Sequence, residues 1–309
     1  MTGFALLLFA GLLAYLAVLV ISSVFTLTGP RRRTYAWALA RGLPGEPGEL
    51  TPALDCQPFD FSSRGQALRA WSIVGLDPSG PVVVLTHGWA DSKVGALLRV
   101  SRLAPVCSRL IAWDLPGHGE SEGRSSLGLR EPEDLDSLLS VLADMDRPVV
   151  LFGWSLGAGI SLVVASARPE IAAVIAEAPY RLPQTPAINV ARLRGGPWRF
   201  NLPLAFAWIG LRCRGTLHAW RAFDRLAFAR RTNCPVLVIR GENDTISPAA
   251  DAREIAAGSP QGLLTEIPGA GHNDLWLRQP ACDQAAETVR DFLAGLTPRP
   301  AAPSAVSAG

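Results

Sequence analysis

The feature that most constrains this chain is a serine between two glycines, in the sequence Gly-Trp-Ser-Leu-Gly at residues 153–157. An apolar run at 148–152 precedes it, and a run of small and aliphatic residues at 158–166 follows it. A buried strand, a tight glycine-flanked turn and a helix are the pattern of a nucleophile elbow, which exposes a serine hydroxyl at the top of a sheet. The motif also fits an ordinary glycine-rich loop, so the interpretation of Ser155 as a nucleophile depends on the rest of the chain.

Apolar strands and helical segments alternate along most of the sequence. Strands are predicted at 82–86, 110–113, 148–152, 172–176, 236–240 and 263–267, and helices at 93–103, 131–144, 158–166, 248–257 and 282–296. An antiparallel hairpin is expected over 59–74, ahead of this alternation. The pattern predicts an α/β fold over 59–296, with a mainly parallel sheet and helices on both faces.

The N-terminus has the composition of a membrane span. Residues 2–28 contain no charged residue, and the stretch is long enough to cross about 30 Å of hydrocarbon as a helix. Three arginines follow at once, at 31–33. A cleaved signal peptide has its basic residues before a shorter apolar core. We therefore predict an uncleaved signal anchor over 1–29 that contacts the membrane through residues 3–28.

The position of the arginines also predicts the orientation. Basic residues directly after a span favour the cytoplasmic side, so we expect a single-pass protein of the cell membrane with its catalytic domain in the cytoplasm. An exported domain is the alternative. Residues 30–58, rich in Pro, Gly and Glu, are predicted to be a linker, and the Pro-, Ala- and Ser-rich residues 297–309 a disordered tail.

Composition excludes several classes of site. The net charge is only +2, and the five cysteines are scattered, odd in number and without a Cys-x-x-Cys pair. These cysteines fit neither a disulfide framework nor a zinc site. The chain has no glycine-rich phosphate loop and no nucleic-acid motif, so we predict no cofactor, no metal and no nucleic-acid partner.

An acid and a base follow the serine in a suitable order. Asp244 comes just after a predicted strand, and His272 follows the last predicted strand. Chain order Ser, Asp, His is known for catalytic triads, and the separation of 28 positions from Asp244 to His272 leaves room for one helix and one strand. Glu242 and Glu177 are alternative acids, because each also lies at the end of a predicted strand.

The chain has four histidines, and their positions among the predicted elements indicate different roles. His87 follows the first buried strand and is interpreted as a turn residue. His118 lies with Asp114 in a rigid Pro- and Gly-rich loop, where both are interpreted as structural hydrogen-bonding groups. His218 lies in a long interruption of the α/β pattern. His272 is therefore the predicted general base.

The serine needs hydrogen-bond donors for the charge that develops on a carbonyl oxygen. The backbone N–H of Leu156, at the start of the predicted helix, is one candidate. The N–H of Trp89 is the second, because the preceding Gly88 allows the backbone to approach a ligand closely. Trp89 and Trp154, next to these groups, are predicted to contact the substrate.

Five motifs together carry a family resemblance. They are His-Gly-Trp at 87–89, Asp-Leu-Pro-Gly-His-Gly at 114–119, Gly-Trp-Ser-Leu-Gly at 153–157, Gly-Glu-Asn-Asp at 241–244 and Gly-His at 271–272. Over 59–296 the chain resembles the α/β-hydrolase superfamily, and it is similar to the lysophospholipases, monoglyceride lipases and serine-aminopeptidase-like hydrolases. Serine at position 155 speaks against the dehalogenase and epoxide hydrolase branches, which have aspartate there.

This resemblance implies a reaction class. The expected activity is hydrolysis of a carboxylic ester, a lipid-derived acyl ester above all, through an acyl-enzyme on Ser155, His272 and Asp244. A peptidase or amidase would use the same three residues and is the alternative enzyme. A binding protein without catalytic activity is the alternative outside enzymes, although all three side chains are present.

Hydrolases of this kind often carry a lid between the strands that end near Glu177 and begin near Val236. Residues 181–234 would form this cap, and they contain ten arginines, a single acidic residue and seven Trp or Phe residues. One interpretation is a helical lid with solvated arginines and with aromatic side chains that face the active site. The other is a cap that contacts an anionic membrane surface.

Overall fold

The computed structural model describes residues 2–143, 146–195 and 198–296, so the tail predicted at 297–309 lies outside the described residues. The strands are β1 (Cys56–Ser63), β2 (Gln66–Val74), β3 (Val82–Thr86), β4 (Arg109–Trp113), β5 (Val149–Trp154), β6 (Ala173–Glu177), β7 (Val236–Gly241) and β8 (Gly262–Ile267). The helices are α1 (Thr2–Thr28), α2 (Tyr35–Leu39), α3 (Leu97–Leu103), α4 (Glu131–Val141), α5 (Leu156–Ala165), α6 (Gln184–Leu193), α7 (Trp198–Arg214), α8 (Arg225–Ala229), α9 (Ala249–Gly258) and α10 (Ala281–Ala294).

The eight strands form one sheet in the order β1-β2-β4-β3-β5-β6-β7-β8. The leading hairpin β1–β2 is antiparallel, β2 is antiparallel to β4, and the remaining pairs are parallel. All five residues of β3 and of β6 are buried, as expected for the centre of a sheet covered on both faces. The predicted α/β fold with a mainly parallel sheet is confirmed.

Each face of the sheet carries its own apolar core. Helices α3 and α10 pack on one face, and α4, α5 and α9 pack on the other. A third cluster lies in the segment predicted to be a cap, between β6 and β7, where α6, α7 and α8 are found. Leu202, Phe206 and Trp220 are buried there, so the aromatic residues of this segment partly form a core of their own.

Three features of the chain before β4 differ from the prediction. The segment expected to be a linker over 30–58 contains α2, and Leu50 and Leu54 from this segment are buried in the core beside α3. Strand β1 begins at Cys56 rather than at residue 59. Helix α3 begins at Leu97 rather than near Lys93, because the backbone N–H and the ammonium group of Lys93 both bind the Asp114 carboxylate, each at 2.7 Å. Long-range contacts of this kind leave no trace in local composition.

Two buried histidines join the loops that follow β3 and β4. The rings of His87 and His118 meet edge to face with their centroids 4.9 Å apart. The His87 Nδ1 donates to the Gly88 carbonyl at 2.7 Å, and its Nε2 accepts from the N–H of Leu115 at 2.9 Å. Burial lowers the pKa of His87 to about 4 and that of His118 to about 3. Both rings are therefore neutral and structural, as their positions in the sequence indicate.

The buried pair makes stability depend on pH. In the unfolded chain both imidazoles have a pKa near 6.5, so below about pH 6.5 the unfolded chain takes up protons that the folded protein does not. We expect the free energy of unfolding to fall between pH 6.5 and about pH 4, the folded pKa of His87. Urea unfolding followed by tryptophan fluorescence at several pH values measures this.

A substitution isolates the contribution of one ring. His118→Asn removes one of the two titrations, so the decrease in unfolding free energy between pH 7 and pH 4.5 becomes smaller than in the parent protein. His218→Asn is the matched control, because His218 is exposed and folding removes little water from it. An identical pH dependence in the two variants would contradict the assignment.

Candidate active site

The serine lies on a strained turn between β5 and α5. Ser155 has φ 53° and ψ −110°, a backbone conformation that residues with a side chain rarely adopt. The turn is tight enough that a Cβ atom on Gly153 would overlap the Gly157 carbonyl, and one on Gly157 would overlap the Thr86 carbonyl. The two flanking glycines therefore allow α5 to pack against the sheet, and the serine is pushed out at the strand end.

The structure brings the three predicted catalytic side chains together. His272 Nε2 lies 3.1 Å from Ser155 Oγ, and His272 Nδ1 lies 2.8 Å from Asp244 Oδ2. The three residues follow β5, β8 and β7, whose carboxyl ends lie at the same edge of the parallel sheet. The second carboxylate oxygen, Asp244 Oδ1, accepts the N–H groups of Ile246 at 2.8 Å and Ser247 at 2.9 Å, which fixes the orientation of the acid.

The two alternative acids have other partners. Glu177 is buried, where it pairs with the Arg99 guanidinium and accepts the indole N–H of Trp276 at 2.8 Å. Glu242 is exposed and accepts the N–H of Gly269 at 3.2 Å. Among the three candidates, Asp244 is therefore the carboxylate in hydrogen-bond contact with His272.

The two predicted oxyanion donors flank the serine. Leu156 is the first residue of α5, and the Gly88 backbone passes so close that a Cβ atom there would lie 3.2 Å from the Cβ of Ser155. Within the described ranges, neither the N–H of Leu156 nor that of Trp89 donates to a protein acceptor. Both donors are thus free to bind a carbonyl oxygen placed at Ser155.

The two tryptophans predicted to contact the substrate differ in their surroundings. Trp89 is half-buried, lines a cavity beside the serine and donates its indole N–H to the Leu27 carbonyl at 2.9 Å. Trp154 reaches the same cavity, but only 6% of it is exposed. Its ring stacks on the Arg99 guanidinium at 3.9 Å, and its indole N–H donates to Asp91. Trp154 is therefore mainly a supporting residue.

The cavity has a volume of about 610 Å³ and is lined by Ser155 and His272 together with α6, the start of α7 and the last turns of α1. Such a volume is typical of small-molecule sites. Sequence reasoning missed Tyr180, which lines the cavity next to Ser155 and whose pKa burial raises. The guanidinium of the buried Arg225 lies 4.7 Å from its ring. No motif marks Tyr180, since it is placed by the chain path after β6.

Metal and disulfide chemistry have no structural counterpart in the described part of the chain. There, no group of three or more His, Cys, Asp or Glu side chains is arranged to hold a metal ion. All five cysteines are free thiols.

The chain is similar to ester hydrolases in sequence. It is 29% identical over 263 residues to a pimeloyl-[acyl-carrier protein] methyl ester esterase of Xanthomonas campestris pv. campestris, an alignment that covers 70% of this chain and 96% of that protein. It is 32% identical over 201 residues to an uncharacterized protein of Mycobacterium tuberculosis, covering 63% of this chain and 64% of that one.

Solved structures show the same fold. The esterase Pf2001 of Pyrococcus furiosus superimposes with a TM-score of 0.68 at 18% identity, covering 87% of this chain and 98% of that one. Est1E of Butyrivibrio proteoclasticus, solved with bound ferulic acid, gives a TM-score of 0.63 at 17% identity, over 77% of this chain and 98% of that one.

The family comparison covers most of the catalytic fold. The sequence model described as the alpha/beta hydrolase family matches residues 83–290, a range that includes Ser155, Asp244 and His272. This range is about two thirds of the 309 residues. The chain therefore belongs to the alpha/beta hydrolase family.

Proposed function

We propose that this protein is a serine hydrolase that cleaves carboxylic esters through an acyl-enzyme on Ser155, with His272 as the base and Asp244 as its orienting acid. The observation that carries the proposal is the hydrogen-bonded series from Ser155 Oγ to His272 Nε2 at 3.1 Å and from His272 Nδ1 to Asp244 Oδ2 at 2.8 Å. Ser155 and His272 line a cavity, and the backbone N–H groups of Leu156 and Trp89 lie beside the serine without a protein acceptor in the described ranges.

Acylation follows from this geometry. Ser155 Oγ attacks the ester carbonyl carbon while His272 Nε2 takes the hydroxyl proton, and Asp244 stabilises the imidazolium that forms. The negative carbonyl oxygen of the tetrahedral intermediate accepts the N–H groups of Leu156 and Trp89, a type of interaction whose loss typically costs about 3 kcal/mol. His272 then gives the proton to the departing alcohol oxygen, and the acyl group remains on Ser155.

Deacylation repeats these steps with water as the nucleophile. His272 Nε2 removes a proton from water, the hydroxide oxygen attacks the acyl carbon, and the proton returns to Ser155 Oγ as the acid leaves.

The substrate class follows from the relatives and from the cavity. The Xanthomonas relative is named as a methyl ester esterase of pimeloyl-[acyl-carrier protein], which favours an ester over an amide. The cavity walls are mostly apolar, which suits a lipid-derived acyl group.

The N-terminal helix is proposed to anchor this enzyme in the cell membrane. Among the described residues, the apolar helix over Gly3–Thr28 is long and apolar enough to cross a bilayer. Its most apolar stretch is not covered by the rest of the protein. The arginines at 31–33 favour a cytoplasmic catalytic domain.

The cap is proposed to rest on the same membrane. Helix α7 packs against α1 and buries one face in the cap core. Its other face exposes Phe200, Leu204, Trp208 and Leu211, a helical stripe whose members are 44–69% exposed. Arginines flank the stripe at both ends of the helix. An exposed apolar stripe with basic ends is typical of a helix that lies in the membrane interface.

The catalytic assignment predicts a contrast between two carboxylates. Asp244→Asn is expected to lower kcat/KM for a p-nitrophenyl ester by about 10³- to 10⁴-fold, because the imidazole loses the group that fixes its tautomer. Glu242→Gln, at a neighbouring exposed carboxylate, should leave the rate unchanged.

Ser155→Ala should abolish labelling by a fluorophosphonate probe. Labelling that survives in Ser155→Ala would reject the proposed nucleophile.

The membrane assignment predicts the topology and the position of the cap. In cells, a C-terminal green fluorescent protein fusion should fluoresce and a C-terminal alkaline phosphatase fusion should be inactive; the opposite pattern would place the domain outside.

With the full chain reconstituted in anionic vesicles, trypsin should cut after Arg199 and Arg214 more slowly than in detergent. Cleavage after Arg278, an exposed residue on the turn that follows β8 and outside the cap segment 181–234, is the internal reference. Equal slowing at all three sites would contradict contact between the cap and the membrane.

A further inference from the structure

The last two turns of the N-terminal helix form part of the wall of the catalytic cavity. Ser22, Ser23, Thr26 and Leu27 line the same cavity as Ser155. A membrane anchor needs no such contact, since a flexible tether would hold the enzyme at the bilayer equally well. The position of α1 therefore calls for a role beyond attachment.

Specific hydrogen bonds hold α1 against the domain. Asn201 of α7 donates its side-chain N–H to the Ser23 hydroxyl at 2.8 Å, and this hydroxyl donates to the Leu19 carbonyl at 2.8 Å. The indole N–H of Trp89, whose backbone N–H is a proposed oxyanion donor, binds the Leu27 carbonyl. The last turn of the anchor is thus hydrogen-bonded to the loop that carries part of the catalytic machinery.

The residues after the helix add a second attachment. The Arg32 guanidinium donates to the carbonyls of Gly119 and Ser121 at 2.9 and 2.8 Å. Arg33 pairs with Asp91 at 2.9 Å. Contacts before and after residue 29 therefore fix the direction in which α1 leaves the domain.

The sequence of α1 changes where it meets the cavity. From Gly3 to Ile21 the helix is apolar except for Tyr15, whereas Ser22, Ser23, Thr26 and Thr28 place four hydroxyls within its last two turns. About 20 residues suffice to cross the hydrocarbon, and the helix has 27, so its last two turns, about 10 Å, extend beyond it. The cavity consequently lies next to the membrane surface.

Another part of the cavity lining is apolar. Helix α6 contributes Pro186, Ala187, Val190 and Ala191, and α7 contributes Leu202. The cavity at Ser155 is thus lined both by these aliphatic side chains and by the end of α1. A chain bound there can contact both.

From these contacts we infer that α1 is part of the substrate site. Its last two turns and α6 together bind the aliphatic acyl chain of an ester that enters from the bilayer along the anchor. This inference rests on the proposed ester hydrolase function. It makes Thr26, on the cavity-lining side of α1, a determinant of acyl-chain length.

A bulky side chain at this wall tests the inference. In the full chain reconstituted in detergent–lipid micelles, kcat/KM is measured for p-nitrophenyl acetate and p-nitrophenyl laurate. Thr26→Trp should lower the laurate-to-acetate ratio at least about tenfold, because the indole excludes several methylenes of the longer chain. Ile21→Trp, five residues earlier at an exposed position of the same helix that does not line the cavity, should keep the parental ratio. An unchanged ratio in Thr26→Trp, or an equal fall in both variants, would overturn the inference.

A second measurement does not depend on how well the tryptophan variant folds. The thiol introduced by Thr26→Cys is alkylated with a maleimide, and modification at position 26 is quantified by mass spectrometry so that the native cysteines do not interfere. Prior reaction of Ser155 with a dodecyl fluorophosphonate should protect this thiol, and a methyl fluorophosphonate should not. The thiol introduced by Ile21→Cys should react equally after both reagents. Absence of protection by the dodecyl reagent would exclude α1 from the acyl site, whereas absence of any reaction with Ser155 would reject the proposed hydrolase function.

Discussion

The rest of the site depends on one backbone constraint, the strained turn that holds Ser155 at φ 53°. Such a conformation costs roughly 1–3 kcal/mol and persists only where the surrounding packing enforces it. Here α5 lies so close to the sheet that neither Gly153 nor Gly157 has space for a Cβ atom. The same close approach brings the N–H at the start of α5 beside the serine. The position of the Ser155 hydroxyl and that of the Leu156 N–H beside it are therefore two results of a single packing contact.

A buried ion pair next to the turn stabilises this packing contact. Glu177, at the end of β6, pairs with Arg99, whose guanidinium also stacks on the ring of Trp154. Ser155 donates its backbone N–H to the Glu177 carbonyl at 2.8 Å, so the ion pair and the elbow belong to one network. Removing one partner of a buried pair leaves an uncompensated charge and typically costs about 3–5 kcal/mol. Glu177 therefore acts through stability and position, although its place at a strand end made it a candidate acid.

The sequence predicted the parts of the site that local patterns encode. The carboxyl ends of parallel strands share one edge of the sheet. A motif after β5 and single residues after β7 and β8 were therefore enough to predict that Ser155, Asp244 and His272 lie close together. The sequence favoured Asp244 but kept Glu242 and Glu177 as alternative acids, because the final choice depends on the partner that each carboxylate meets in space. It missed Tyr180 for the same reason. It also described 30–58 as a linker, since Pro and Gly content does not reveal that Leu50 and Leu54 join the core.

The N-terminal helix is another example of contacts in space that local sequence patterns do not encode, and here the contacts involve the candidate site. Hydropathy identifies a candidate span but treats it as separate from the domain. In the structure Ser23 is bonded to α7, and Leu27 and Arg33 are bonded to the loop after β3. Asp91 accepts from Arg33 and from the indole of Trp154, the residue directly before the nucleophile. The segment that follows α1 and the turn at Ser155 are thus joined through two hydrogen bonds to Asp91. A tilt of α1 relative to the domain would have to break these contacts, so the direction of α1 and the shape of the entrance to the serine are fixed together.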